Sequence, residues 1–364
     1  MTTKALPNLV VRKYVASDIE RIEQLLKTHF PLELSEKRKV VFDWIARCNP
    51  VSKGTTNYLI VEADDKIIGY LGRMPVDMVI DGEKRTGYFF HDLLVDPEYR
   101  KKGLGVLLDS RLQSTWEQET GSFAVGIWMN EFTYNFLRRR RAYQIDAPYF
   151  VKPIDLSPRL TGLVRNRTLA KFLATPVRGL GSLYDFLLSV LPNPGISISP
   201  VVRFDRRFDQ LAEEVANKFR LMVVRNSAYL NWKYIDKPFS DYVVLAAERE
   251  QKLAGFIVLL PRTIGGIKVG VIVDILADPA DSSAISSLCR SAVNYFKQVK
   301  VSFCACLLTD ENFIKVFRRH LFFKRRKTAP VMLTNIQKFR EPELLKDIGN
   351  WFLTYGDSDG FVWQ

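Results

Sequence analysis

Between residues 95 and 108 the chain reads Val95-Asp96-Pro97-Glu98-Tyr99-Arg100-Lys101-Lys102-Gly103-Leu104-Gly105-Val106-Leu107-Leu108. An apolar strand over 88–95 runs into a short turn, and a basic corner with two glycines then opens an amphipathic helix. The chemistry this order suits is the binding of a pyrophosphate. Gly103 and Gly105 lack the Cβ atoms that hold a ligand off the backbone, so several N–H groups can point at one anion. The helix adds its positive end and its unpaired first-turn donors. Arg100, Lys101 and Lys102 add charge. A solvent-exposed strand–helix turn is the plain alternative. A dinucleotide site fits less well, because its Gly-x-Gly-x-x-Gly turn is missing.

The order strand, Arg100-x-x-Gly103-x-Gly105, helix resembles the coenzyme A pyrophosphate loop of the GNAT acetyltransferase superfamily. That family's pattern is Gln or Arg, two residues, Gly, one residue, then Gly or Ala. The lead-in Asp96-Pro97-Glu98-Tyr99 is similar to the family's as well. The resemblance implies acetyl-CoA or another acyl-CoA as co-substrate, no metal, and a cradle built from Arg100, Lys101, Lys102, Gly103, Leu104, Gly105 and Val106. It also implies that pantetheine lies along the preceding strand. Leu93, Leu94 and Val95 would then offer main-chain groups, with one N–H near the thioester oxygen. Asn130 matches the asparagine that touches pantetheine in such proteins, and an ordinary helix N-cap accounts for it equally.

Acyl transfer from a thioester to an amine needs a base for the amine, a donor for the oxyanion, and a proton or positive field for the departing thiolate. His91 and Asp92 lie on the strand and alternate faces, so at most one of them is expected to point into the cleft. A histidine ordinarily titrates at about 6.5, which suits a base at neutral pH; a hydrogen-bonded histidine against a helix is the other reading of His91. Asp92 reappears as Asp274 later in the chain, which favours a strand-end hydrogen bond for it. Glu131, Asp77 and a chain of waters are further candidates. Family members use a tyrosine as acid within a pattern ending Tyr-x-x-x-Gly-Phe. Here Ala142-Tyr143 replaces Gly-Phe and Arg138 stands at the tyrosine position, so the resemblance transfers the acid role to Tyr134, one turn earlier. The run Arg138 to Arg141 closes that helix, where cations suit the dipole.

At 364 residues the chain can bury two cores, since domains usually span about 100–200 residues. No apolar run is long enough to span a membrane, and residues 1–7 lack a signal-peptide core, so a cytoplasmic location is expected. The cysteines Cys48, Cys289, Cys304 and Cys306 make no disulfide framework, and with His29, His91 and His320 they form no zinc-ligand cluster. The net charge of +13 suits a polyanionic ligand such as coenzyme A, an acyl carrier protein, a phosphorylated substrate or an anionic membrane face. A solvated basic surface also accounts for it. No nucleic-acid module is present, so nucleic acid is not an expected partner.

The chain states its pattern twice. Val10-Val11-Arg12 recurs as Val201-Val202-Arg203; Trp44, Pro50 and Tyr58 recur as Trp232, Pro238 and Tyr242; Asp92-Leu93-Leu94-Val95-Asp96-Pro97 recurs as Asp274-Ile275-Leu276-Ala277-Asp278-Pro279. Each half reads as strand, one or two helices, antiparallel strands, the strand leading to the loop, helix, strand, helix. In the first half this predicts helices over 18–27, capped by Ser17 and Asp18, and over 36–48, 104–119 and 130–140. The strands fall at 58–63, 66–73, 88–95 and 123–128. The second copy carries Ser282-Ser283-Ala284-Ile285-Ser286-Ser287 in place of the loop, without its glycines and cations. The expected fold is therefore α/β in the mixed α+β sense: two tandem GNAT-like domains, each a mixed, mostly antiparallel sheet flanked by helices. Residues 1–150 would hold the acyl-CoA, 151–200 form a helical linker, and 201–364 a degenerate copy without a pyrophosphate loop. Short helices over 163–174 and 182–191 would pack between the domains or touch a membrane surface. In the tail, Asp357 and Asp359 read as turn residues or as partners for a substrate ammonium.

The expected function is transfer of an acetyl or longer acyl group from a thioester to an amine. In its tandem layout, its segment Tyr229-Leu230-Asn231-Trp232-Lys233-Tyr234 and its tail, the chain is similar to GNAT proteins of bacterial polysaccharide or lipid-linked sugar synthesis, which implies an amino sugar or such a precursor as acceptor. A FemABX-like aminoacyl-tRNA-dependent ligase and a non-catalytic acyl-CoA-binding regulator are the alternatives.

Overall fold

The computed structural model describes residues 9–52, 58–100, 102–115, 123–127, 131–155 and 195–358, together with Met129, Ser157, Thr175, Gly179 and Tyr184. The helices expected over 163–174 and 182–191, and with them most of the linker, lie outside the described residues, as do Lys101, Asn130 and Asp359.

Two mixed sheets flanked by helices carry the fold. The first runs in the order β1 (Leu9–Lys13), β2 (Tyr58–Ala63), β3 (Lys66–Ile80), β4 (Glu83–Val95), β5 (Ala124–Ile127), β15 (Ala329–Thr334) and β6 (Tyr143–Ala147). Off that path, β9 (Leu221–Val223) pairs with the far end of β3, and β16 (Trp351–Phe352) pairs with β9. The second sheet runs β14 (Phe323–Lys324), β7 (Tyr149–Pro153), β13 (Phe303–Leu307), β12 (Ile267–Ala277), β11 (Lys252–Ile264), β10 (Val243–Arg249) and β8 (Ile196–Pro200). β12 is a near-continuous apolar run because it is central and covered on both faces.

The sheets do not follow the halves of the chain. Only Pro148 separates β6 from β7, yet β6 closes the first sheet and β7 enters the second between β13 and β14. In return β15, from the end of the chain, lies between β5 and β6. The second sheet thus takes β7 from the first half, and the first sheet takes β15, β9 and β16 from the second. A single buried cluster runs through both, from Tyr14 to Tyr355.

The helices that concern the site are α1 (Ile19–Lys27), α2 (Leu32–Cys48), α3 (Leu104–Thr115) and α4 (Glu131–Arg139). In the second half they are α5 (Arg206–Ala216), α6 (Ser227–Leu230), which continues into a π-helical turn Asn231–Ile235, and α7 (Ser282–Gln298). Three local expectations are corrected. Asp18 does not cap α1; its buried carboxylate accepts two hydrogen bonds from the Arg12 fork, each 2.7 Å. α2 starts a turn earlier than expected, straight after Pro31, whose fixed φ suits a helix entrance. β3 and β4 form a much longer hairpin than 66–73 and 88–95, turning at Asp81-Gly82 with positive φ at both residues. The extension reaches β9 of the second half, and that non-local pairing supports it.

Candidate active site

The loop after β4 holds a short 3-10 turn, Pro97–Tyr99, capped by the Asp96 carboxylate, which accepts from the Glu98 N–H at 2.9 Å. Gly103 has φ +80, a left-handed conformation that costs glycine nothing, and open space surrounds the place of its absent Cβ. α3 begins at once, with the Leu107 N–H donating to the Gly103 carbonyl at 3.0 Å. The N–H groups of Leu104, Gly105 and Val106 belong to the first turn and have no intrahelical acceptor by geometry. A Cβ on Gly105 would meet only Leu93 Cδ2 at 3.6 Å and Phe136 Cε2 at 3.7 Å. The protein itself therefore has room for alanine at Gly105.

The matching helix of the second half differs in a telling way. α7 starts one turn earlier in the repeat, and the Asp281 carboxylate caps it, accepting from the Ala284 N–H at 3.0 Å. Arg249 pairs with that carboxylate at 2.8 Å, and Ile285 is fully buried. A side-chain anion already satisfies the leading end of α7. At α3 a glycine stands in that place.

The loop cations do not all face the helix end. Arg100 donates from Nε to the Val95 carbonyl at 3.3 Å and places its guanidinium 2.8 Å from His29 Nδ1. Burial, then the Arg100 charge, holds the His29 pKa below its ordinary value, so Nδ1 is the acceptor. Arg100 thus clips the loop to β4 and to the end of α1. Lys102 lies over the Tyr99 ring, 4.7 Å from its centre.

β4 and β5 are parallel and pair only at Tyr88–Ala124 and Phe89–Val125. Beyond these residues β4 stays with β3 and β5 with β15, so the sheet opens into a wedge toward the loop. The Asp96 N–H donates to the Ile68 carbonyl at 2.8 Å. In an antiparallel ladder, bonded pairs recur every second residue, so Leu94 turns its main chain to Tyr70. Leu93 and Val95 turn theirs to the wedge. Their side chains pack with Leu104 and Leu108 against α3, and Leu94 lies on the opposite face. Val106 is exposed.

His91 and Asp92 do not alternate as the strand pattern predicts. The β3–β4 register slips between Leu71–Leu93 and Gly72–His91, which leaves Asp92 in a bulge with φ +44. Both side chains consequently turn to the α2 face. The buried His91 ring lies 5.9 Å from the Tyr58 ring, and the Asp92 carboxylate accepts a 2.6 Å hydrogen bond from the Tyr70 hydroxyl. The two tyrosine rings are 6.1 Å apart. Burial, reinforced by the Asp92 charge, pushes the Tyr70 pKa well up, so the phenol remains a donor.

The other candidates are dispersed. The Tyr134 hydroxyl donates to Gln144 Oε1 at 2.9 Å, toward β6. Glu131 and Arg138 are exposed, and Asp77 lies on the far hairpin, where its carbonyl accepts from the Val224 N–H at 2.8 Å. Asp357 is neither a plain turn residue nor open to a substrate ammonium: it is buried and accepts from Arg225 at 2.7 Å. Arg225 also holds Asp274, the repeat partner of Asp92, at 3.0 Å. Asp274 takes a further 2.8 Å bond from Tyr234, so both repeat-related aspartates are tyrosine-bound.

Two features escaped the sequence reading. Arg73 and Asp109, each 1% exposed, form an ion pair at 2.9 Å between β3 and α3, and Arg140 joins Asp109 at 3.2 Å from the end of α4. Burial, opposed by Asp109, brings the Arg73 pKa down to about 10. An arginine within the apolar run 67–76 of β3 was the available signal. The second feature is a cleft between the two halves, bordered by Trp44, Met74, Trp232 and Lys237. Among the described residues no cluster of His, Cys, Asp and Glu could hold a metal ion, and no helix is long and apolar enough to cross a membrane.

Residues 19–139 match the model of the acetyltransferase (GNAT) family. No curated protein sequence matches the chain. Among solved structures it is similar to a GCN5-related N-acetyltransferase from Anabaena variabilis, at 15% identity and TM-score 0.59, over 90% of this chain and 72% of that one. A GCN5-related N-acetyltransferase from Kribbella flavida gives 12% identity and TM-score 0.57, over 90% and 70%. The Saccharomyces cerevisiae N-myristoyltransferase with bound myristoyl-CoA gives 13% identity and TM-score 0.55, over 91% and 84%. With the wedge and the glycine-led helix in place, residues 19–139 carry a GNAT-family domain, and the chain shares its fold with solved GNAT structures.

Proposed function

We propose that the protein is an N-acyltransferase that moves an acetyl or longer acyl group from a coenzyme A thioester to an amine. One observation carries this reading: the wedge between β4 and β5 ends at a helix led by Gly103, which has no side chain to cap it, and with no acidic residue in its first turn. The paired phosphates would lie on the amides of residues 103–106, supported by Lys101 and Lys102, with Arg100 holding the loop in shape. Pantetheine would run along Leu93 and Val95 on the α3 face, where Asn130 would also touch it. The neighbour that holds myristoyl-CoA has the same overall fold.

In this reading the acceptor arrives from the opposite face, where the bulge has placed His91. The amine nitrogen attacks the thioester carbon and passes its proton to His91. A main-chain N–H of the wedge stabilises the oxyanion, and the C–S bond then breaks to release the thiol. Asp92, held by Tyr70, keeps the bulge in place; Tyr134 would protonate the thiolate only after leaving Gln144. Residues 1–150 supply the donor site, and residues 201–364, whose matching helix is capped, serve the acceptor side. Amino sugars and lipid-linked precursors are the acceptors to try first, with an acyl carrier protein as the alternative thioester carrier.

The test is calorimetric titration with acetyl-CoA and myristoyl-CoA. Gly105→Ala should retain binding within about ten-fold, since the methyl makes ordinary contacts, and Gly105→Val should lose about 100-fold or more. Unchanged affinity in Gly105→Val sinks the site. A second reading, an acyl-CoA-binding regulator, is favoured by the engagement of Tyr134 and Asp92 with protein partners. Release of free thiol in the presence of an amine separates the two.

A further inference from the structure

Across much of the surface, arginines are paired: Arg12, Arg203, Arg207, Arg220 and Arg249 each hold a carboxylate at 2.7–2.9 Å. One stretch breaks that habit. The helix α8 (Glu311–Arg319), the strand β14 and the strap from β14 into β15 carry seven lysines and arginines between Lys315 and Lys327, and no aspartate or glutamate. All seven are exposed. Among the described residues, Arg318, Arg319, Lys324, Arg325, Arg326 and Lys327 have no ion-pair partner. The helix dipole accounts for Arg318 and Arg319, in the last turn of α8. It does not account for the four in the strap.

The main chain beneath these cations is held in place. Lys152 Nζ, buried on β7, donates to the His320 carbonyl at 2.9 Å, and Ser286 Oγ lies 2.7 Å from His320 Nε2. The Arg325 N–H donates to the Tyr149 carbonyl at 2.9 Å, which ties the strap to β7. Like charges therefore stay side by side although they repel one another. β14 is a two-residue strand at the edge of its sheet, and Phe323 is 57% exposed there, with four cations directly after it. Tyr184 donates to the Arg319 carbonyl at 2.9 Å, which brings a second ring to the same helix end.

The strap also borders the candidate site. It ends where β15 begins, at Ala329, and Val331 pairs with Ile127, the last residue of β5. Since β5 leaves β4 after Val125, this is the end at which the wedge opens.

We propose that this face binds the anionic surface of a lipid bilayer. The cations of the strap and of the α8 end meet the lipid phosphates, Phe323 enters the layer beneath them, and the open end of the wedge lies at the membrane. The exposed ring amid the charge is what singles out a bilayer from other polyanions. An aromatic flanked by cations matches a surface that is anionic outside and apolar below. A nucleic-acid duplex or an acidic protein offers the charge without that apolar layer. Membrane binding of this kind needs neither coenzyme A nor turnover.

The test is flotation of the full chain with vesicles of phosphatidylcholine, alone or with about one-third phosphatidylglycerol, at about 0.1 M and about 0.5 M salt. Binding to the mixed vesicles is expected at low salt, and should be about ten-fold weaker or less to phosphatidylcholine alone and at high salt. Arg325→Glu with Arg326→Glu should weaken it about 100-fold, at roughly five-fold for each cation lost and more for each charge reversed. Phe323→Ala should weaken it about five-fold. Arg138→Glu with Arg139→Glu makes the same change of charge at the end of α4, the repeat counterpart of α8. Along β15 that end lies near Leu333 and the strap near Ala329, about 14 Å apart at a strand's rise and beyond a Debye length. This control should stay within about three-fold. No binding to the mixed vesicles, equal binding to both kinds, or an equal loss in the control overturns the proposal. Displacement from the vesicles by a single-stranded oligonucleotide or an acyl carrier protein at matched charge overturns it as well. Should the strap variant fail to fold, Phe323→Ala and the salt dependence still decide. A thiol-release assay without vesicles keeps the two readings apart. Turnover without vesicle binding sinks the membrane face alone, and vesicle binding without turnover supports that face and sinks acyl transfer.

Discussion

Trp44 and Trp232 stack on one another, their ring centres 4.7 Å apart and their planes 14° from parallel. They occupy matching positions of the internal repeat, so the residue that one half presents meets its counterpart from the other. Both are buried, and both border the cleft. Each tryptophan-to-alanine change should cost ~3–5 kcal/mol of stability, and a double-mutant cycle should return a coupling of about 1 kcal/mol. Chemical denaturation of the four proteins measures it. Strict additivity would mean that the stack holds the halves only through area.

The Arg73–Asp109 pair ties β3 to the helix that carries the loop. Asp109→Asn should cost about 3–5 kcal/mol, because it strands a buried guanidinium. Arg73→Met combined with Asp109→Leu should recover much of that loss, since a well-packed apolar pair avoids desolvating two ions. Urea midpoints report both changes.

Lys237 makes stability depend on pH in a particular direction. Its folded pKa, at about 7, lies below the ~10.4 of an unfolded lysine, so the unfolded chain binds more protons between these values. Its contribution therefore rises from pH 7 to about 10.4 and is level below 7. Lys237→Met should flatten that rise, removing a change on the order of 4 kcal/mol across the window. Denaturation of both proteins at pH 6, 8 and 10 checks the sign, and parallel curves would refute it.

His91 and Asp92 should separate in the acylation assay. His91→Ala is expected to slow turnover by about 10²-fold or more. Asp92→Asn should stay within about ten-fold, because asparagine tolerates positive φ and can still accept from Tyr70. Asp92→Ala should destabilise by about 1–3 kcal/mol, with the Tyr70 hydroxyl left buried without its acceptor. Reversed ranks would exchange the two roles.

The shape of the loop was legible because it is local. Gly103 adopts its turn and α3 starts behind it within a few residues, and neither needs the distant chain. The capped start of α7 was readable in the same way from the lost glycines. His91 and Asp92 were not, because their facing depends on a register slip against β3, and strand alternation is blind to a bulge. The extended hairpin was missed because residues 74–87 depend on β9, more than a hundred positions away.

What the sequence alone determined was the repeated order of elements, the glycine corner that leaves one helix end open, and the absence of that corner in the second copy. Each follows from backbone permissions and short-range periodicity. Only the tertiary structure decided that β7 and β15 change sheets, that the repeat-matched tryptophans meet, and that Lys233 and Lys237 end up buried at the same cleft. Those outcomes depend on which distant surfaces exclude water together, and a one-dimensional pattern does not carry that information.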